Sequence, residues 1–402
     1  LFVAYDEKGV LINVAEKKWT KEDLIKLREE KTFHCPTCSN ELELKIGSII
    51  TAHFAHKRLT GCQAEGRPES TYHMQGKQDL FEWLNNQPKI GEVQLEPYLH
   101  EIKQRPDLLF LNGDEKIVIE FQCSAIDSSL LNKRTKSYKE ANIMSFWILG
   151  AISLKRTGKM SFQLTPFQWF FTRIIESQSQ LFLYSYCSNL KSFIILQSII
   201  PFSSQSIIAN HITYPLRSTS YFDLQKFHLN KRNLMLAWIN KIRRFRLKTI
   251  SFMGKDAAAL NLFLYQTKHS PLTHLPSHAF LPLHSNYLIE SPVYVWQGWI
   301  LLYIESIPLQ STFSCQDVYH YMAKKVREGI LKIRHLPHID LDYSYAIKDY
   351  LLRLCGFSII KQLQKNVFFK KRLILWPTSL DELLKTDEEI GRDFASNHTI
   401  LE

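Results

Sequence analysis

Arg105-Pro106-Asp107-Leu108-Leu109-Phe110-Leu111-Asn112-Gly113-Asp114-Glu115-Lys116-Ile117-Val118-Ile119-Glu120-Phe121-Gln122 decides how this chain folds. Leu108 to Leu111 is an apolar strand, and Asn112-Gly113-Asp114 supplies the left-handed backbone of a tight hairpin turn. A second strand follows from Lys116 to Ser124. With the turn centred between residues 113 and 114, partners across the hairpin have numbers summing to about 227, which sets Asp107 opposite Glu120. Gln122, two residues on, shares the face of Glu120. Carboxylates side by side repel unless a cation lies between them, so the pair asks for Mg²⁺ or Mn²⁺. The plainer reading is an exposed hairpin whose acids balance Lys116 and Arg105.

Upstream, Glu69-Ser70-Thr71-Tyr72-His73-Met74-Gln75-Gly76-Lys77 opens a helix with Ser70 as N-cap. Steps of four put Glu69, His73 and Lys77 on one face, and Leu80, Phe81 and Leu84 carry the stripe into a core. Alone, the triple reads as a solvated first turn. Beside the acidic hairpin it becomes the wall of a site. From Glu92 to Gly150 the order is strand, strand, strand, helix, strand.

Before that helix, Cys35-Pro36-Thr37-Cys38 is a Cys-x-x-Cys knuckle, followed by His53-Phe54-Ala55-His56 and then Cys62. Thiolates and imidazoles at this spacing suit tetrahedral Zn²⁺. A redox pair would sit in a βαβ unit, which this stretch lacks. Five candidates compete for four positions: a straight strand over 51–56 sends His53 and His56 to opposite faces, whereas a turn at Phe54-Ala55 lets both bind. The sequence leaves both arrangements open. Further upstream, residues 1–19 read as a hairpin, and a helix at about 20–30 takes Thr20 as its N-cap.

The 402 residues, 45% hydrophobic and 12% aromatic, suffice for two or three globular domains. A net charge of +11 points to a polyanionic partner, since Lys and Arg release counterions from phosphates. The longest apolar stretch, Phe193 to Phe202, is interrupted by Gln197 and Ser198 and is too short to span a membrane. The first residues lack a basic region followed by an apolar run, so no secretory signal is expected. Cys123, Cys187, Cys315 and Cys355 are scattered among apolar neighbours, which fits a reducing cytoplasm rather than a disulfide framework. After about residue 155 the chain reads as long helical segments separated by breaks such as Pro201 to Tyr214.

Helix, three strands, helix, strand, with Glu69, Pro106-Asp107 and Glu120-Phe121-Gln122 at their places, resembles the PD-(D/E)xK nuclease superfamily. The whole string is more closely similar to the competence protein CoiA family. The residues behind this are Cys35 to Cys38, His53 to His56, Glu69-Ser70 with His73 and Lys77, Arg105-Pro106-Asp107, Glu120 to Ser124, Arg134 with Tyr138, and Trp147 to Gly150. The resemblance covers about 1–155; beyond, it is diffuse, resting on segments such as Ser161 to Phe171 and Ser291 to Trp299. It implies an α/β protein: a β-rich zinc module over 1–66, a restriction-endonuclease-like αβββαβ domain over 67–155, and a mainly helical C-terminal domain over 156–402. It also implies a cytoplasmic bacterial protein of natural transformation, assisting a RecA-type recombinase in integrating single-stranded DNA. Most superfamily members carry Lys where this chain has Gln122, and Lys77 is placed to supply that charge.

Two functions of different class follow. In the first, a divalent-metal phosphodiesterase acts on single-stranded or branched DNA. Asp107 and Glu120 hold Mg²⁺ or Mn²⁺, the Phe121 carbonyl completes the shell, and Glu69 binds a second ion or orients water. Gln122, His73 and Lys77 position water or phosphate. In the second, an inactive zinc-stabilised mediator presents DNA to the recombinase. DNA contacts are expected from Arg134 and Tyr138, and from the basic helix with Lys241, Arg243, Arg244 and Arg246; the segment Lys324 to Arg334 is similarly basic. Each basic face also reads as ordinary solvated surface.

Overall fold

The structure is a computed structural model that describes residues 1–47, 51–57, 62, 69–175, 180–248, 254–337, 339–377 and 379–396. The expected boundary at 66/67 and much of the Cys-rich stretch after His56 therefore lie outside the described residues. The chain forms two compact units: Leu1–Leu154 with Leu183–Ile195 and Ile212–Lys226, and Lys155–Phe182 with Leu196–His211 and Phe227–Glu402.

The first unit begins with an antiparallel sheet. Its strands are β1 (Val3–Asp6), β2 (Leu11–Asn13), β3 (Phe33–His34), β4 (Glu41–Lys45) and β5 (His53–His56), in the order β2-β1-β3-β4-β5. Alternation decides what is buried: Leu42 and Leu44 of β4 and Phe54 of β5 point inward, and their neighbours do not. Helix α1 (Lys21–Glu30) starts at Thr20, whose hydroxyl accepts the Asp23 N–H while Asp23 caps in return, as expected.

The same unit continues with α2 (Thr71–Asn85), β6 (Val93–Leu95), β7 (Leu108–Asn112), β8 (Glu115–Gln122), α3 (Ser128–Glu140) and β9 (Met144–Gly150), the predicted αβββαβ order. Hairpin partners run from Leu108↔Ile119 to Asn112↔Glu115, every pair summing to 227, with Gly113 at φ 62° in the turn. Strand β9 runs parallel to β8, which requires the α3 crossover between them. Ile117 to Phe121 are all buried, the signature of a strand covered on both faces. Glu120 is the single charge in that run. Helix α2 is capped by Ser70, which accepts the His73 N–H, and it comes so close to β8 that a Cβ on Gly76 would lie 2.1 Å from the Phe121 ring. Only glycine permits that approach, and it brings His73 and Lys77 to the hairpin's end. On the other side Asp79 accepts the Tyr186 hydroxyl at 2.9 Å, and the Trp83 indole donates to Thr219 at 2.6 Å.

The expectation of helical segments from residue 155 is corrected over 155–215, while the helical C-terminal part is as expected. Strands β10 (Lys155–Arg156) and β11 (Ser161–Gln163) lead through α4 (Pro166–Trp169) to β12 (Thr172–Ile175), β13 (Gln180–Cys187), β14 (Ser192–Pro201) and β15 (Ser206–Pro215). The 201–214 stretch read as a break is mostly strand, because Ile207, Ile208 and Ala209 are wholly buried in a sheet that favours β-branched residues. Helices gather later: α5 (Lys231–Leu247), α6 (Lys255–Lys268), α7 (Val293–Ser306), α8 (Cys315–Arg327), α9 (Tyr343–Gly356) and α10 (Leu380–Ser396). A small sheet of β16 (Thr312–Ser314), β17 (Ile360–Gln364) and β18 (Val367–Lys370) lies among them in sequence. Helix α7 is buried on nearly all sides and carries two of the second unit's buried tryptophans, Trp296 and Trp299. Among the described residues no helix is long and apolar enough to cross a membrane.

Candidate active site

Among the described residues, two groups of side chains that could hold a metal ion lie in the first unit. In one, Cys35, Cys38, His56 and Cys62 bring their ligand atoms within 4.8 Å of one another. Cys35 Sγ is 4.0 Å from Cys62 Sγ, and Cys38 Sγ is 3.4 Å from His56 Nε2, separations that suit the corners of one tetrahedron. The knuckle is built by the backbone: Cys35 N–H donates to the Asn40 carbonyl, Ser39 N–H donates to the Cys35 carbonyl, and Ser39 takes φ 58°. Thr37 N–H and the Asn40 amide each donate to a knuckle sulfur at 3.4 Å. Burial raises the Cys38 thiol, but the Asn40 N–H, His56 and the two other cysteines outweigh it and bring it down to about 7. All three cysteines are free. A three-sulfur, one-nitrogen donor set fits a structural metal. Residues 53–56 form a straight strand, so His53 faces away, its Nδ1 3.0 Å from the Thr51 carbonyl. His56, not His53, lies with the three cysteines.

The second group is Glu69, His73 and Asp107, again within 4.8 Å. His73 Nδ1 stands 3.7 Å from Glu69 Oε1 and its Nε2 3.6 Å from Asp107 Oδ2. That Nε2 is buried and makes no hydrogen bond, so a cation beside Asp107 would satisfy it. Burial pulls the imidazole's pKa down, yet Asp107 and Glu69 overcome it and leave it raised. The pocket draws in positive charge. Asp107 is held in place by the Phe121 N–H at 2.8 Å. Burial disfavours its charge, but His73, Lys77 and that N–H bring its pKa down to about 2. Two carboxylates and an imidazole nitrogen without a hydrogen bond fit a divalent cation.

Lys77 completes the cluster and is wholly buried. Its Nζ reaches both oxygens of Glu69 at 2.7 Å, Glu96 Oε1 at 2.5 Å and stands 3.8 Å from Asp107 Oδ1. Burial alone would lower its pKa; Glu96, Glu69 and Asp107 push it above the ordinary value. It is therefore an ammonium at neutral pH and cannot serve as a base. Glu96, which the sequence reading missed, is the buried acid of this set, with its pKa held down by Lys77 against burial. Its signal was a lone acid ending the apolar strand of Val93 and Leu95, directly before Pro97.

Glu120 is placed differently from the expectation. Asp107 and Glu120 approach, but the Glu120 carboxylate accepts from Arg134 and from the Tyr138 hydroxyl, so it lies outside the group with Glu69. Burial raises its pKa, opposed by Arg134. Gln122 turns to its own loop, donating to the Ser124 carbonyl at 2.7 Å. The DNA contacts expected of Arg134 and Tyr138 are corrected accordingly: Tyr138 is wholly buried, and Arg134 also donates to the Arg105 carbonyl at 3.0 Å.

In the second unit, α5 divides its basic residues. Arg243 and Arg244 are exposed and Lys241 is half-buried, with its pKa lowered to about 8 by burial and then by Arg244. Arg246 is not a surface residue: it is buried, pairs with both oxygens of Asp387, donates to the Thr273 and Leu275 carbonyls and stacks on Phe280. Its assignment to DNA is corrected, because desolvating a guanidinium demands this full set of acceptors. Arg334 is likewise buried, donating to the Tyr287 and Ser204 carbonyls over the Trp169 ring.

The chain is similar to known proteins along most of its length. The N-terminal, nuclease-like and C-terminal domains described for competence protein CoiA match residues 16–65, 69–229 and 235–384. No solved structure matches the chain. Competence protein CoiA of Bacillus subtilis (strain 168) is 30% identical over 360 residues, which cover 89% of this chain and 95% of that protein. The αβββαβ core, the Cys/His cluster and this extended match together place the chain in the competence protein CoiA family.

Proposed function

We propose that this protein is a divalent-metal-dependent DNA phosphodiesterase of natural competence, acting in the cytoplasm on single-stranded or branched DNA. The observation that carries the reading is the group formed by Glu69, His73 and Asp107, in which the buried His73 Nε2 makes no hydrogen bond and lies 3.6 Å from Asp107 Oδ2, in a domain similar to a nuclease-like one. Glu69, His73 and Asp107 would hold the cation, and the imidazole nitrogen favours Mn²⁺ over Mg²⁺. A cation held there would polarise a phosphodiester oxygen and acidify a bound water.

The chain's own groups supply the rest. The Lys77 ammonium, fixed beside Asp107, holds a positive charge where charge develops on the phosphate, in place of the lysine absent at Gln122. Asp107 and its Phe121 N–H keep the ligands at the hairpin's end. Exposed Arg243 and Arg244 would meet the DNA backbone. Zinc is the metal proposed for Cys35, Cys38, His56 and Cys62, as a structural ion. Partnership with a RecA-type recombinase rests on the family resemblance.

A second reading, an inactive DNA-binding mediator, is favoured by one observation: Arg134 and Tyr138 occupy Glu120, and Gln122 is turned onto its own loop. Labelled single-stranded, duplex and branched DNA incubated with Mn²⁺ or Mg²⁺ separates the two. Cleavage abolished in Asp107→Ala supports the nuclease. Intact DNA under every condition, with transformation unharmed by Asp107→Ala in cells, leaves the mediator.

A further inference from the structure

Glu96 has no place among the proposed cation ligands, yet it touches two parts of the first unit at once. One carboxylate oxygen takes Lys77 Nζ at 2.5 Å and the other accepts the Phe2 N–H at 2.7 Å. Its backbone lies at φ 49°, the left-handed region that a non-glycine residue rarely enters, and its N–H donates to the Asp107 carbonyl at 2.9 Å. Such a conformation persists only where the surroundings over-determine it. Phe2 is wholly buried, and Lys77 Nζ stands 5.4 Å from its ring centroid. Phe2's neighbour Leu1 accepts the Phe54 N–H at 2.7 Å, and Phe54 lies two residues before the cluster ligand His56. A run of contacts thus leads from the Cys/His cluster through β5, Leu1 and Phe2 to Glu96 and Lys77.

We infer that Glu96 is a positioning residue, fixed by the N-terminal sheet, that keeps the Lys77 ammonium from being wholly surrendered to Glu69 and Asp107. The inference rests on the reading that those carboxylates hold a cation. Lys77 carries one positive charge and faces three carboxylates. With Glu96 in place, part of that charge is balanced away from the metal ligands, and Glu69 keeps oxygen lone pairs for the ion. If Glu96 withdraws, the ammonium turns to Glu69 and Asp107 and competes with the ion for both. Since the Phe2 N–H holds Glu96, and β5 holds the chain at Leu1, loading the Cys/His cluster and loading the carboxylate site are linked. Linkage of this kind is reciprocal.

Two measurements on the whole chain test it. In native-state hydrogen exchange, Glu96→Gln should lower protection of amides in 2–6 and 53–56 by about tenfold. Val118→Ala, a core truncation touching neither site, gauges the effect of reduced stability alone. Protection in those segments that is unchanged, or reduced no more than in Val118→Ala, overturns the link. The second measurement is Mn²⁺ binding followed by electron paramagnetic resonance: Cys62→Ser, which alters no group at the carboxylate site, should raise the Mn²⁺ Kd about tenfold or more, and Val118→Ala should not. If Cys62→Ser fails to fold, Phe2→Ala, which spares every metal ligand, replaces it. An unchanged Mn²⁺ Kd overturns the inference. Absence of Mn²⁺ binding in the wild type sinks the cation reading instead, and the exchange result then decides the role of Glu96 by itself.

Discussion

His73 Nε2 lies 3.6 Å from Asp107 Oδ2, buried and without a hydrogen bond, on a helix that reaches β8 only because residue 76 is glycine. Proton and metal compete for that nitrogen, and the competition has opposite signs with and without metal. Without Mn²⁺, the raised imidazole pKa means that protonated His73 stabilises the fold fully below its ordinary pKa, about 6.5, and the contribution is lost as pH rises through the raised value. With Mn²⁺, the nitrogen must be neutral, so affinity should grow with pH over the same window, by up to about tenfold per unit. Thermal melts and Mn²⁺ titrations between about pH 6 and pH 8.5 check both slopes. A Mn²⁺ affinity independent of pH would remove His73 from the ligand set.

His53 and His56 are three residues apart and should behave oppositely. His56→Ala should strip the structural metal and unfold its module, since a structural zinc contributes on the order of 10 kcal/mol to such folds. His53→Ala should leave metal content at one zinc for the Cys/His cluster and change stability by less than about 1 kcal/mol. Metal analysis of the two purified variants decides it.

Lys77 is an ammonium held by carboxylates, so its loss should be felt in the transition state rather than in binding. Lys77→Met is expected to lower kcat by about 2–4 kcal/mol in barrier terms, with DNA affinity little changed. Gln122→Lys should raise the rate only in the Lys77→Met background, because in the wild type the charge is already supplied. A gain in the wild type of the same size would show that Lys77 does not fill that role.

Arg243 and Arg244 differ from Arg246 in what surrounds them, and mutation should split them cleanly. Arg246→Ala leaves Asp387 buried and unpaired and should cost about 3–5 kcal/mol of stability. Replacing the exposed Arg243 and Arg244 by Glu should leave the melting temperature in place. It should also weaken DNA binding for all sequences and flatten its salt dependence by roughly one log–log unit for each phosphate no longer neutralised. Calorimetry and binding isotherms at several salt concentrations separate the effects.

Local rules carried the reading of this chain a long way. The Asn112-Gly113-Asp114 turn determined the hairpin and its register, because the position of the turn decides which residues of β7 and β8 pair. Capping determined where α1 and α2 begin, at Thr20 and Ser70, and helical spacing put Glu69, His73 and Lys77 together. Knuckle spacing identified the Cys/His cluster. The strands of 180–215 escaped the same rules, since buried strands lack alternation and read like apolar helix.

What the sequence alone determined, then, is the element order of the αβββαβ core and where α1 and α2 start. Which charges face which was decided only by the tertiary structure. Glu120 went to Arg134 and Tyr138, Glu96 joined Lys77 from an unremarked strand end, and Arg246 left the surface for Asp387. The reason is physical. A buried charge must find a partner or bear its full desolvation cost, and that partner is chosen by the packing of distant segments, which no local periodicity encodes.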